Sequence, residues 1–159
     1  MSFFKIAGAL AVIVSGFVMS YIMNSEATEK WKQSEALISF MRYIKIQIEC
    51  FALPASEIIS RCDAELLASC GFQAQTRPEK FERLFELCGI SDAETKEILS
   101  GFAAGFGKGY REEQIKECEY YIELLCERRE KLYEELPKKK KLNSTLCVSA
   151  AFAIVILFL

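Results

Sequence analysis

Residues 6–23, IAGALAVIVSGFVMSYIM, contain no charged side chain, and neither do residues 142–159. Two uncharged apolar runs at opposite ends of a 159-residue chain constrain the fold more than any other feature, because each must be withdrawn from water along its length. At about 1.5 Å per residue, a helix of about 18 residues spans roughly 27 Å, close to the hydrocarbon thickness of a bilayer. The runs therefore read as an N-terminal transmembrane anchor within 1–24 and a C-terminal transmembrane helix within 138–159. In the second, Asn143, Ser144 and Thr145 fall at headgroup level and Leu146–Leu159 is the apolar part. The first run is longer than the ~7–15 residues of a signal-peptide core and no A-x-A-like site follows it, so it reads as an uncleaved anchor. Ala7, Ala11 and Ser15 recur every fourth residue, and Gly16–Ser20 repeats the spacing, a pattern that lets helices approach closely in lipid.

Between the runs the chain is acidic. Residues 24–137 hold 15 of the 20 Lys and Arg and all 22 Asp and Glu, a net charge of −7. That balance argues against nucleic acid as a partner. The densest positive charge, Lys138, Lys139, Lys140 and Lys141, stands directly before the second run, and Lys30 and Lys32 lie on the same side of the first. Only Lys5 opposes them. By the positive-inside rule the expected arrangement is a two-span protein of the cell membrane with 25–137 in the cytoplasm. The four lysines then anchor the tail to anionic lipid headgroups, each contributing about 1 kcal/mol.

The acidic segment reads as helical throughout. Leu37, Met41, Ile44, Ile48 and Phe51 form one stripe, broadened by Ile38 and Ile46, on a helix that runs on from the first apolar run. Pro54 suits the first turn of a second helix, carrying Ile58, Cys62 and Leu66 inward to a stop at Gly71. Thr76 with Glu79 and Ser91 with Glu94 are capping boxes for helices over 77–88 and 92–106, with Gly89 as the left-handed stop between them. The first buries Phe81, Leu84, Phe85 and Cys88, the second Ile98, Leu99, Phe102 and Phe106. Over 111–136, Ile115, Cys118, Ile122, Leu125, Arg129, Leu132 and Leu136 alternate at spacings of three and four. Arg129 interrupts this stripe, either meeting a carboxylate such as Glu49 or Glu57 or lying at the edge and snorkelling. The expected fold is all-α: an antiparallel helical bundle over 25–137, flanked by the two transmembrane helices.

Motifs for chemistry are weak. GFAAGFGKGY has Phe102 where a phosphate loop needs its first glycine and Gly109 where it needs Ser or Thr, so it reads as a helix–helix corner. With no histidine, Ser-His and Cys-His nucleophile pairs are excluded. Seven cysteines without a C-x-x-C pair suit buried thiols in a reducing compartment better than a disulfide framework or a zinc ribbon. A four-cysteine metal site requires separate helices to converge. The expectation is a protein that acts by contact, not an enzyme, with no cofactor.

IECFALPASEI, FGKGYREEQIKECEYYIELL and KLYEEL, set between an N-terminal and a short C-terminal apolar run, resemble the stage III sporulation protein AB family of endospore-forming Firmicutes. The resemblance covers the whole chain and is tightest over 98–142. Pro54 and Glu57 match the family's P-L-x-E, with Ala55 in place of its Leu. Gly107 and Gln114 match its L-G-x-x-D-x-x-x-Q, with Phe106 for the Leu and Tyr110 for the Asp, and Lys131, Leu132 and Tyr133 match its K-L-Y. Losing that Asp removes a helix cap and leaves Gly109 to start the last helix. Pro137 stands where the family often has Leu-Gly.

The family is similar to the cytoplasmic domain of type II secretion inner-membrane platform proteins. It implies a non-enzymatic assembly component of the channel between mother cell and forespore. The implied partners are other stage III sporulation proteins, among them a secretion-type ATPase, with membrane lipid and further copies of the chain. The alternative is a membrane-anchored helical adaptor of another secretion or pilus-type machine. The family motifs and the acidic surface together make Glu49, Glu57 and Gln114 the candidate partner interface.

Overall fold

The computed structural model describes residues 3–158; the side chains of 3–7, 9, 10, 157 and 158 lie outside the described set, as does Leu159 entirely. Among the described residues there are six α-helices and no strand: α1 (Phe3–Phe51), α2 (Ala55–Arg61), α3 (Ala64–Ser69), α4 (Phe81–Leu87), α5 (Ala93–Gly105) and α6 (Arg111–Phe158). The chain divides into two compact units, Lys30–Leu132 and the pair of segments Met1–Glu29 and Tyr133–Leu159.

In the Lys30–Leu132 unit, α1 and α6 run antiparallel, as the pairs Glu35–Arg129 at 3.9 Å and Lys45–Glu119 at 2.6 Å require. The stripe on α1 is buried at Leu37, Met41, Ile44 and Ile48, and Ile38 joins it. Ile46 and Phe51, also expected inside, are 51% and 62% exposed. The helix ends one residue after Cys50, where Ala52 turns left-handed at φ 50° and Pro54 restricts Leu53 to extended backbone. Phe51 is the last residue of α1 before that corner.

The helix expected to run from Pro54 to Gly71 is two helices. Cys62 is extended at ψ 143°, and Asp63 caps α3 by accepting the Glu65 N–H at 3.1 Å. The break moves burial from Leu66, which is only half-buried, to Leu67. Gly71, at φ 96°, closes α3, and an added Cβ there would collide with the Cys88 carbonyl oxygen.

Neither capping box forms as spaced. The Thr76–Glu79 box fails because Pro78 pushes Arg77 out of helical backbone, so α4 starts only at Phe81. Asp92 rather than Ser91 caps α5, its Oδ2 accepting the Thr95 N–H at 3.0 Å. Asp competes equally well for a cap position, and here it also meets a cation. Gly89 is left-handed at φ 57°, as expected.

The core is aromatic at its centre. Phe81 packs edge-on against Phe106 at 4.7 Å between centroids and contacts Phe40, Phe85 and Phe102. Leu84, Leu99, Cys118 and Leu125 close around this cluster, each fully buried. Burying a side chain of this kind stabilises the fold by about 1.5–3 kcal/mol.

In the unit built from Met1–Glu29 and Tyr133–Leu159, α1 and α6 meet through small residues. A Cβ on Gly16 would lie 2.9 Å from the Ala151 Cβ and 3.1 Å from the Cys147 carbonyl oxygen. Ser20 and Ala151 are buried at this crossing, and Asn24–Asn143 and Met23–Cys147 make side-chain contacts. Gly16 and Ser20 thus serve as the spacing predicts, while Ala11 and Ser15 line a separate outward face with Val14, Val18, Met19 and Ile22; Ala7 lies outside the described side chains. α6 continues through Pro137. Among the described residues no helix is long and apolar enough to cross a membrane. Ile6, Ala7, Ala9 and Leu10 of the first expected span, and Leu157 to Leu159 of the second, lie outside that set.

Candidate functional site

The sequence-predicted residues sit on three elements. Glu49 lies on the last turn of α1, exposed, on one wall of a groove whose other wall is α6. The groove, about 420 Å³, is lined by Arg42, Lys45, Ile46 and Glu49 from α1 and by Glu119, Ile122 and Glu123 from α6. Its existence follows from residue size: the inward stripes of the two helices meet in the core, and the shorter Ile46 and Ile122 side chains are left at the seam between charged neighbours. Lys45 spans the seam to Glu119 at 2.6 Å, and donating a hydrogen bond to that carboxylate raises the Lys45 pKa. Arg42, Glu49 and Glu123 form no ion pair among the described residues.

Glu57 stands in the first turn of α2, exposed, where the helix dipole favours an anion. Its carboxylate does not cap the free amides; it pairs with Arg61 one turn on, at 3.1 Å, on the surface. Gln114 is half-buried, and its amide donates to the Gly109 carbonyl at 2.8 Å. That bond, with the Tyr110 N–H donating to Glu113 Oε2 at 2.9 Å, begins α6 in the absence of an aspartate. The N-terminal boundary residue is therefore Tyr110, not Gly109, and Gln114 has a local structural task. No hydrogen bond or ion pair joins Glu49, Glu57 and Gln114 to one another. Lys138, Lys139, Lys140 and Lys141 are all exposed along α6, with Lys139 paired to Glu135.

Three polar clamps were invisible in the sequence. Arg77 places Nη1 between 2.6 and 3.1 Å from the carbonyl oxygens of Ile59, Ser60 and Cys62, and so satisfies the C-terminal end of α2. Gln33 donates to the carbonyls of Cys70 and Cys88 at 3.0 and 3.1 Å, tying the ends of α3 and α4 to α1. Arg128 grips Asp92 with two hydrogen bonds of 2.9 and 2.7 Å, and adds Glu94 at 2.9 Å. The arginine holds the Asp92 carboxyl well below the usual carboxylate range. Arg129, singled out by its place in the stripe, is the lesser of the two: it is half-exposed and reaches Glu35 at 3.9 Å, not Glu49 or Glu57. Only the polar or charged character of these residues is a signal in the sequence; their partners lie 15 to 55 positions away.

All seven cysteines are free. Cys62, Cys70, Cys88 and Cys118 are buried. Burial pushes the Cys62 and Cys88 thiols up to about 11 and Cys118 up to about 12, and raises Cys70 further still. Such thiols are poor nucleophiles and poor ligands near neutral pH. Among the described residues no three His, Cys, Asp or Glu side chains converge to hold a metal ion. What the described surface offers is a charged, partly apolar groove between α1 and α6.

The model of one protein family, described as stage III sporulation protein AB, matches residues 5–159. No curated protein and no solved structure matches the chain.

Proposed function

Because the chain belongs to the stage III sporulation protein AB family over residues 5–159, we propose that it is a non-enzymatic platform on which a sporulation channel between mother cell and forespore is assembled. A role in sporulation follows from the membership itself. The platform reading is supported by the near-complete match, together with a bundle whose groove exposes the carboxylates of Glu49 and Glu123. In this reading 6–23 and 142–159 cross the membrane, Lys138 to Lys141 lie against its anionic headgroups, and the bundle faces the cytoplasm, where a secretion-type ATPase and sister subunits dock. Exposed Cys50, rather than buried Cys62, is the thiol that reports which side of a membrane the bundle occupies.

Glu57 supplies the test. Its pairing with Arg61 is a surface pair, of the kind that contributes about 0.3–0.5 kcal/mol, so its loss leaves the fold nearly unchanged. Glu57→Lys is expected to keep the melting of the protein within about 1 kcal/mol of the parent, yet to reduce recovery of the ATPase from sporulating cells and to arrest spores after engulfment. Normal recovery and normal spore yield would remove Glu57 from the contact surface. If the unaltered protein recovers no channel subunit at all, the platform role itself fails.

A further inference from the structure

We propose that the groove between α1 and α6 receives the same groove of a second copy of this chain, making a two-fold dimer held by reciprocal Arg42–Glu49 pairs around Ile46. The proposal stands whether or not the channel reading holds.

The charge order on α1 carries it. Arg42, Lys45, Ile46 and Glu49 all line one groove, so they share a face of the helix. Arg42 and Glu49 are two turns apart, about 10.5 Å along the axis, too far to pair within one helix. Both are exposed and neither is in a salt bridge among the described residues, although Glu49 lies close enough to Lys45, one turn back, for its charge to raise the Lys45 pKa. Ile46, between them, is 51% exposed in a bundle whose other mid-stripe aliphatics on α1 are buried. A cation, an apolar residue and an anion in that order are self-complementary when the helix meets its own copy head to tail. A two-fold axis between positions 45 and 46 sets each Arg42 opposite the partner's Glu49 and brings the two Ile46 side chains together over Ile122. An isologous contact repeats each pair twice, so one charge pattern serves both sides.

The remaining rim charges fit this arrangement with one exception. Lys45 is already neutralised by Glu119 within its own chain. The antiparallel register set by Glu35–Arg129 and Lys45–Glu119 places Glu123 level with Arg42. Glu123 therefore competes with the incoming Glu49 for that arginine and weakens the dimer. The patch is also small beside the roughly 1,600 Å² of a standard interface. The association is consequently weak and is best trapped covalently.

The experiment uses the full chain in intact cells, with Cys50, Cys126 and Cys147 changed to serine and Ile46→Cys added, treated with a short cell-permeant bismaleimide. The expected result is a covalent dimer that depends on Ile46→Cys. Adding Arg42→Glu or Glu49→Arg alone places like charges opposite each other twice and is expected to weaken dimerisation about tenfold. The double change Arg42→Glu with Glu49→Arg restores complementarity and is expected to recover the cross-link. Glu123→Gln is expected to raise it. Arg42, Ile46, Glu49 and Glu123 are exposed, so the helical signal of each charge variant should match that of the Ile46→Cys parent. No cross-link through the thiol introduced by Ile46→Cys, cross-linking in the single reversals as strong as without them, or a double reversal no better than the singles would each overturn the proposal. A cross-link from that introduced thiol to a different protein, in place of the dimer, would overturn it too and assign the groove to that partner instead.

Discussion

The Lys30–Leu132 unit and the unit formed by Met1–Glu29 and Tyr133–Leu159 use the same two helices in opposite ways. In the first, large side chains face inward: Leu37, Met41, Ile44 and Phe40 on α1 are essentially without exposure, and the charged residues face out. In the second, the contact is made by Gly16, Ser20 and Ala151, while Val14, Phe17, Val18 and Met19 are more than half exposed. This helix pair turns its small residues toward the contact and its large apolar ones outward, the reverse of the first unit. The difference teaches that one helix can change its packing rule partway along without a break, because helical backbone satisfies its own hydrogen bonds whatever surrounds it.

The sharpest way to break the comparison is to open the core of the first unit. Phe81 touches four other rings and is 1% exposed. Phe81→Ala is expected to cost about 3–5 kcal/mol, from lost transfer energy and the cavity left behind. The measurement is denaturant unfolding of residues 26–136, which enclose the whole bundle unit and should fold alone because its stripes close on one another. A loss under about 1 kcal/mol would mean that the cluster repacks freely and does not anchor the bundle.

A smaller effect is expected at the polar edge of the same unit. Arg128 and Asp92 are only 14% and 13% exposed, so removing the arginine leaves a poorly solvated carboxylate. Arg128→Met is expected to cost roughly 1–3 kcal/mol at neutral pH. The folded-state pKa of Asp92 is depressed below its unfolded value of about 3.9. The stability that the pair contributes is therefore complete above about pH 4 and is lost as pH falls through the folded-state value. Unfolding curves of parent and variant should converge as the solution is acidified below about pH 4. A gap independent of pH would show that Arg128 acts through packing of its stem alone.

Much of this architecture was legible because it is periodic. The stripes at 37–48, 81–88 and 115–132 and the glycine at 89 announce their helices and faces from spacing alone, since helical geometry repeats every 3.6 residues. The errors cluster where a local signal had a rival. Pro78 overruled the Thr76 box, Asp92 displaced Ser91, and Asp63 cut one helix into two. The site was less legible than the fold. Glu49 was found, but its groove depends on α6 lying beside α1, and the Arg42–Ile46–Glu49 order gains meaning only once those residues are known to be exposed. Arg128 was passed over for Arg129 because a stripe position says which residue faces inward, not which one meets a carboxylate 36 residues away.

The smallest expected effect belongs to the second unit. Gly16→Ala adds a methyl 2.9 Å from the Ala151 Cβ, so the helices must part by a few tenths of an ångström. Against that, alanine in place of glycine inside a helix is favourable by about 1 kcal/mol. The two terms nearly cancel, and unfolding of the bundle should not register the change at all, because the contact lies in the other unit. Gly16→Leu removes the balance, since a branched side chain cannot fit where a methyl is already tight. The reporter is at hand: Met23 Sδ and Cys147 Sγ lie 3.8 Å apart on α1 and α6. In the full chain, Met23→Cys should form an internal cross-link with Cys147, little changed by Gly16→Ala and much reduced by Gly16→Leu. Gly16→Leu combined with Ala151→Gly should recover part of it, because the second change returns the space the first takes. Equal cross-linking with leucine at position 16 would show that the close approach at Gly16 does not hold the two segments together, and the small-residue spacing would lose its meaning there.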